Sequence, residues 1–322
     1  MEQLIKKIEA FISENTLAEN PPNLYQPVNY SMKTGAKRIR PVLCMLAAQL
    51  FGHNSDAALY PALALEMFHN FTLVHDDIMD KSEIRRGRPT VQAKYGVNTA
   101  ILSGDVMLIK SYEYLSKVEP SYLPVVLDLF NQTATKVCEG QQLDMDFETR
   151  EEISLDEYIT MISGKTAALL AGALAIGAKI GGAYPEQIRA IYEFGLNIGI
   201  AFQIQDDLLD AFGNEKQIGK QIGSDILNNK KTYLLITALN IADLDTRQEL
   251  NKWLSVAYDS RDTEKINAVK DIFTRLNIPT ITQNAIDHYY QLGLLHFHTI
   301  GMSANQMQPL LFLTDMLINR KK

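Results

Sequence analysis

The chain has 322 residues, 46% hydrophobic and 21% charged, the balance of a globular protein able to bury a large core. Its formal charge of −7 excludes a general nucleic-acid binder, which needs a basic face. Two cysteines, Cys44 and Cys138, lie in apolar runs without CxxC spacing, which points to a reduced, intracellular setting such as the cytoplasm. The opening stretch, MEQLIKKIEAFISENTL, has the period of an amphipathic helix and lacks the unbroken apolar core of a signal peptide. After Pro21-Pro22, helical periodicity covers 41–51, 59–80, 98–118, 123–144, 155–180, 185–210, 231–239, 245–259, 262–276, 279–300 and 304–318. Gly52-His53-Asn54, Gly87-Arg88-Pro89, Glu119-Pro120 and Gly181-Gly182 punctuate these segments. No alternating strand pattern with hairpin turns is evident, and no Ser/Gly/Pro linker divides the chain. The expectation is all-α, with residues 1–322 forming a single large helical domain. The apolar run 166–178 is too short to span a bilayer and suits a closely packed core helix, so no transmembrane segment is expected.

Two acidic groups share one pattern: Asp76-Asp77-Ile78-Met79-Asp80 and Asp206-Asp207-Leu208-Leu209-Asp210. In each, the first and last carboxylates are four residues apart and leave one helix face, with Cβ atoms about 6 Å apart. Carboxylates at a helix C-terminus oppose the macrodipole and need compensating cations. Hard divalent metals answer that need, and Mg²⁺ in particular takes its remaining oxygens from waters and substrate phosphates. Each group ends a periodic segment and is followed by a loop rich in glycine and cations. One runs from Lys81 to Pro89 with Arg85-Arg86. The other runs from Ala211 to Lys231 with Gly213, Gly219, Lys220, Gly223 and Lys230. Such loops can close over a metal-bound polyanion and exclude water.

Upstream, Thr34-Gly35-Ala36-Lys37-Arg38-Ile39-Arg40-Pro41 sets Lys37 and Arg40 at the start of an apolar helix, where backbone N–H groups also favour anions. His69 precedes Asp76 by seven residues and shares nearly the same helix face. Arg85 and Arg86 offer fork-shaped donors suited to phosphate oxygens. The bland alternatives are a solvated acidic helix end, ordinary surface cations and a core histidine. Two acidic groups, each with trailing cations, make that alternative harder to sustain.

With GAKRIRP, the first aspartate motif and its RRG, GQQLD at 140–144, GKT at 164–166, and FQIQDDLLD followed by GKQIGSDI, the chain resembles the trans-isoprenyl diphosphate synthases of the polyprenyl synthetase family. The resemblance is densest from Gly35 to Lys230. One departure is Gly35-Ala36, where the family usually has Gly-Gly. The resemblance implies an isoprenoid synthase bundle around a central active-site cavity, and a homodimer. It implies that Asp76, Asp80 and Asp206 hold three Mg²⁺ ions on an allylic diphosphate, with Asp77 and Asp210 as outer ligands or acting through water. Arg85, Lys165, Lys220 and Lys230 would contact that diphosphate. Lys37, Arg40, His69 and Arg86 would form a metal-free pocket for isopentenyl diphosphate. Thr166 and Gln203 would face the developing carbocation, and Asp144 would anchor the polar network.

The implied reaction is ionisation, condensation and elimination. Isopentenyl diphosphate is joined head to tail (1′-4) to dimethylallyl, geranyl or farnesyl diphosphate. No side-chain nucleophile is needed, in keeping with the lack of a Ser–His–Asp or reactive-Cys arrangement. Phe71 lies five residues before Asp76, about 7.5 Å along the helix, with Phe68 nearly a turn further. Phe71 with Thr72 resembles the short-chain members, and the reading leans to a C20 over a C15 product. A class I terpene cyclase would lack the Lys37/Arg40 element and the second aspartate group. A non-catalytic partner subunit would be expected to have lost some carboxylates, and none is missing. Glu66-x-x-His69 matches half of a di-iron bundle site, but Glu-x-x-His occurs nowhere else.

Overall fold

The computed structural model describes residues 1–17, 20–33, 35–52, 55–213, 222–256 and 262–318. Lys220 and the basic end Arg320-Lys321-Lys322 lie outside the described residues.

Helix α1 (Glu2–Glu14) buries Leu4, Ile8 and Ile12 at four-residue spacing. Helix α2 (Pro22–Met32) is not announced by periodicity. Pro22 stands in its first turn, where a missing N–H costs nothing, and Pro27 lies inside it. Helix α3 (Ile39–Leu50) follows Arg38, and α4 (Leu59–Met79) follows a 3-10 turn, Ser55–Ala58. A two-stranded antiparallel hairpin, β1 (Ile84–Arg85) and β2 (Arg88–Pro89), corrects the expectation of no hairpins. Its strands are too short to show alternation. Its turn is Arg86-Gly87, at φ 53° and 70°, the both-positive geometry of a two-residue hairpin.

Helices α5 (Val91–Tyr95), α6 (Val97–Leu115) and α7 (Leu123–Thr149) come next. Helix α8 (Leu155–Ile162) opens on a capping box between Ser154 and Glu157. A π turn, Ser163–Ala167, leads into α9 (Ala168–Ile180). Then follow α10 (Pro185–Phe212), the short α11 (Ser224–Leu227), α12 (Tyr233–Ile241) and α13 (Leu244–Leu254). Helices α14 (Asp262–Arg275), α15 (Ile278–His298) and α16 (Ala304–Ile318) complete the described chain.

These elements cluster into two compact units. The first comprises Met1–Thr133, Gly172–Tyr192 and Ile300–Leu311. In it α3 is buried almost all round, with Val42 through Ala48 inside. A Cβ added at Gly177 of α9 would fall 2.0 Å from the Cys44 carbonyl, so the two helices meet backbone to backbone. The span Leu155–Ile180 is, among the described residues, the one helix long and apolar enough to cross a membrane, yet 67% of its apolar window is buried inside the fold. That burial is the behaviour of a core helix.

The second unit comprises Ala134–Ala171, Glu193–Thr299 and Phe312–Lys322. One apolar cluster gathers Phe147, Tyr158, Ile204, Ile236 and Ile286, and another gathers Leu235, Leu250, Ile272, Phe273 and Ile278. Fully burying each large side chain contributes about 1.5–3 kcal/mol, enough to hold α10 and its carboxylates in place.

Candidate active site

In the first unit α4 ends at Met79, so Asp80 stands exposed on the open cap, its N–H bonded to the Asp76 carbonyl at 2.8 Å. Asp76 is half-buried one turn back. Asp77, expected among the outer metal ligands, points inward and is 3% exposed. Its Oδ1 accepts a 2.8 Å bond from Arg85 Nε. Burial raises the Asp77 carboxyl above its usual range, and Arg85 opposes that rise. The hairpin thus turns Arg85 onto Asp77 and leaves Arg86 exposed at the turn. Tyr30 anchors it from beside: its hydroxyl donates to the Pro89 carbonyl at 2.8 Å, and Arg88 and Lys94 lie 4.8 and 4.0 Å from its ring centre.

The GAKRIRP turn has its own lock. Arg38, at φ 50°, is 2% exposed. It donates to Glu9 Oε1 and Glu66 Oε1 at 2.6 Å each and to the Met32 carbonyl at 2.5 Å. Burial works against its charge, but Glu66 and Glu9 prevail and its pKa is raised. With Arg38 spent inward, Lys37 is left exposed. Arg40 Nη1 lies 3.1 Å from His69 Nε2, so the imidazole accepts there and carries its proton on Nδ1. Burial, then Arg40, Arg86, Arg85 and Arg38, push His69 well below its ordinary pKa, so it stays neutral. Burial also lowers Arg40 to about 10, with Arg86 adding to the effect against Glu66. Arg40 Nε is buried and has no hydrogen-bond partner among the described residues. A buried guanidinium donor left unmet costs free energy, and an anionic ligand would meet it.

Below Asp76 the expected length-setting residues form an aromatic file. Phe71 and Phe68 have ring centres 5.5 Å apart, and Phe68 meets Phe130 edge-on at 5.3 Å. Phe68 is fully buried and Phe71 half-buried. Thr72 does not face that file through its hydroxyl, which bonds back to the His69 carbonyl at 2.8 Å.

In the second unit the GKT motif lies within the π turn, a local bulge that re-aims side chains. Lys165 Nζ donates to Asp144 Oδ2 at 2.5 Å. Glycines permit this pairing. A Cβ at Gly140 would sit 2.1 Å from Lys165 N, and one at Gly164 would sit 2.6 Å from the Lys136 carbonyl oxygen. Thr166 Oγ1 donates to Gln203 Oε1 at 2.9 Å, and Gln203 Nε2 donates to Asp207 Oδ1 at 3.1 Å. Asp207 also accepts from the Tyr158 hydroxyl at 2.5 Å and the Tyr233 N–H at 3.1 Å. Burial first, and Asp225 second, raise Asp207 to about 7. Lys165, Thr166, Gln203, Asp207 and the exposed Lys230 line one open pocket.

Asp206 is half-buried on α10. Asp210, also expected as an outer ligand, is 1% exposed. Its Oδ1 accepts from Ser224 Oγ at 2.9 Å and its Oδ2 from the Asp225 N–H at 3.0 Å, so it anchors the start of α11. The sequence reading places Asp144, Lys165, Thr166, Gln203 and Lys230 in one neighbourhood, and it misses Arg38, Glu66, Tyr158 and Asp207. Asp207 stood in the doubled aspartate, Arg38 in the GAKRIRP motif and Glu66 in Glu66-x-x-His69, but none of these placements revealed its partners.

Residues 21–274 match the polyprenyl synthetase family. The chain belongs to that family. A geranylgeranyl diphosphate synthase from Methanosarcina mazei is 45% identical to this polyprenyl synthetase over 233 residues, 72% of each chain. One from Sulfolobus acidocaldarius is 36% identical over 323 residues, covering 97% of this chain and 95% of its own. A crystal structure of a geranylgeranyl pyrophosphate synthase superposes with a TM-score of 0.95 at 38% identity, covering 100% of this chain and 99% of the other. As a polyprenyl synthetase the chain is an all-α prenyltransferase of isoprenoid biosynthesis.

Proposed function

We propose that this enzyme condenses isopentenyl diphosphate with dimethylallyl, geranyl and farnesyl diphosphate, head to tail, and releases all-trans geranylgeranyl diphosphate. The observation that carries the condensing reading is the unmet Arg40 Nε beside neutral His69. It supports a second diphosphate pocket that a terpene cyclase has no use for, with the exposed Lys37 three residues away and the exposed Arg86 close enough to act on both Arg40 and His69. The relatives' names support the C20 product.

Asp76, Asp80 and Asp206 would hold the magnesium ions, three in the family pattern. Their donors are all hard carboxylate oxygens, and among the described residues no group of three or more His, Cys, Asp or Glu forms a ready-made cage. That donor set fits Mg²⁺, which binds through one or two carboxylates together with substrate phosphates. When bound, the ions neutralise charge on the leaving diphosphate. Asp77 and Asp210 support this arrangement through the protein, one by holding Arg85 and the other by anchoring α11.

The chain's own residues do the rest. Arg85, Lys165, Lys220 and Lys230 bind the allylic diphosphate, and Asp144 aims Lys165. Lys37, Arg40, His69 and Arg86 bind isopentenyl diphosphate as donors that need no metal. Asp207 fixes the Gln203 amide, and the Gln203 carbonyl accepts the hydrogen bond that Thr166 donates. The hydroxyl lone pairs are thereby left toward the allylic cation, a preorganised electrostatic stabiliser. The proton shed after condensation goes to the departing diphosphate. Residues 1–322 act as one synthase domain, two copies forming a homodimer. The unpaired Cys44 and Cys138 accord with the reduced cytoplasm.

The test is incubation with Mg²⁺, isopentenyl diphosphate and C5, C10 or C15 primers, followed by sizing of the products. A C20 product lost on chelation, and lost in Asp76→Ala and Asp206→Ala, is expected. Turnover undiminished in those variants rejects the reading.

A further inference from the structure

Lys265 is a charge the chemistry above does not use, yet it is 1% exposed on α14. Its ammonium donates to the Leu227 carbonyl at 3.2 Å, to Asn229 Oδ1 at 2.8 Å and to the Val256 carbonyl at 3.2 Å. All three donors are spent, as a buried ammonium requires. Burial lowers its pKa against the pull of Asp262.

Two of the three acceptors lie at the end of α11 and in the segment that follows it. Leu227 is the last residue of α11. Asn229 stands at φ 52°, a left-handed conformation that costs a side chain free energy unless contacts hold it. Lys265 holds its Oδ1, and its Nδ2 donates to the Leu254 carbonyl at 2.9 Å. The next residue is Lys230, whose N–H donates to the Asp225 carbonyl at 2.9 Å. Asp225 N–H in turn bonds Asp210, so the segment is pinned at one end by Asp210 and at the other by Lys265. A small pocket bordered by Asp225, Asn229, Lys230 and Phe273 adjoins it. Polar pins at both ends of the segment thus act together with the buried Ile226 and Leu227.

We infer that Lys265 is a positioning residue: it holds the left-handed turn at Asn229 so that Lys230 presents its ammonium to the allylic diphosphate. The inference rests on the role proposed above for Lys230. Lys265→Met keeps the aliphatic stem and removes the three donors. In steady-state assays with Mg²⁺, isopentenyl diphosphate and farnesyl diphosphate, its KM for the allylic substrate should rise about tenfold, the low end of what losing a supporting partner costs at a metal site. Its KM for isopentenyl diphosphate should not change.

Lys230→Met should show the same selective rise, and the Lys230→Met/Lys265→Met double variant should be no worse than Lys230→Met alone, because the two act as one unit. Additive penalties, or equal rises in both KM values, overturn the role of Lys265. Should Lys265→Met fail to fold, Asn229→Gly keeps the left-handed backbone and removes only the side-chain link. A wild-type allylic KM in that variant overturns the inference as well. Inactivity of the unmodified chain would instead sink the functional reading on which this one stands.

Discussion

At the residue scale, neighbouring side chains of one charge have opposite tasks. Lys37 is exposed while Arg38 fills a buried cage of Glu9, Glu66 and the Met32 carbonyl. Arg38→Met leaves Glu66, 1% exposed, without its partner. Stability should drop by about 3–5 kcal/mol, the usual cost of orphaning a buried charge. Urea unfolding measures it, and Lys37→Met should stay within about 0.5 kcal/mol of wild type. His69 makes a pH prediction. Its folded pKa is depressed below the unfolded 6.5, so its contribution is fully present above that value and is lost as pH falls below it. The wild-type advantage over His69→Gln in unfolding free energy should therefore shrink steadily below pH 6.5; a constant gap would contradict the depressed pKa. The cage at Arg38 was not legible in the sequence, because its partners arrive from α1 and α4, 29 and 28 residues away. The two acidic groups were legible because four-residue spacing on a helix needs no tertiary knowledge.

At the element scale, one motif gives two results because the helices end differently. Helix α4 stops at Met79 and exposes Asp80, whereas α10 continues to Phe212 and Asp210 is covered by α11. Helix α11 itself was hidden from periodicity, being four residues long and anchored by Asp210 from a distance in sequence. The hairpin was hidden for a like reason, since two-residue strands carry no pattern. Glycine contacts between elements bear on activity. Gly140→Ala places a methyl 2.1 Å from Lys165 N and must push α7 from the π turn. A loss of about 1–3 kcal/mol is expected from such overpacking, with a lower kcat as Lys165 leaves Asp144. Thermal unfolding and kinetics read the two effects. The aromatic file predicts product length. Phe71→Ala opens the file as far as Phe68, three residues or about 4.5 Å deeper. Products longer than C20 are expected by chromatography, and an unchanged product removes Phe71 from that role.

At the scale of the whole molecule, the all-α class was readable because long amphipathic and apolar periods leave little else for the chain to form. What periodicity cannot show is which apolar faces remain uncovered. On α6, Ile101, Leu102, Ile109 and Tyr112 are 40%, 59%, 56% and 38% exposed. Ile109 follows Leu102 and Ile101 by seven and eight residues and Tyr112 follows Ile109 by three, so the four share one side of the helix. An exposed, mostly apolar face of this kind, with the Asp105 carboxylate in its midst, fits an interaction surface. The proposed homodimer supplies its occupant, since a two-fold axis lets one helix face cover its own copy. Leu102→Asp with Ile109→Asp places two charges on the stripe and leaves the buried face of α6, with Met107 and Ser111, untouched. Light scattering after size exclusion should give a dimer mass for the parent and a monomer mass for the double variant, with helical circular dichroism retained. A parent that is already monomeric, or a variant that stays dimeric, would assign this stripe another use.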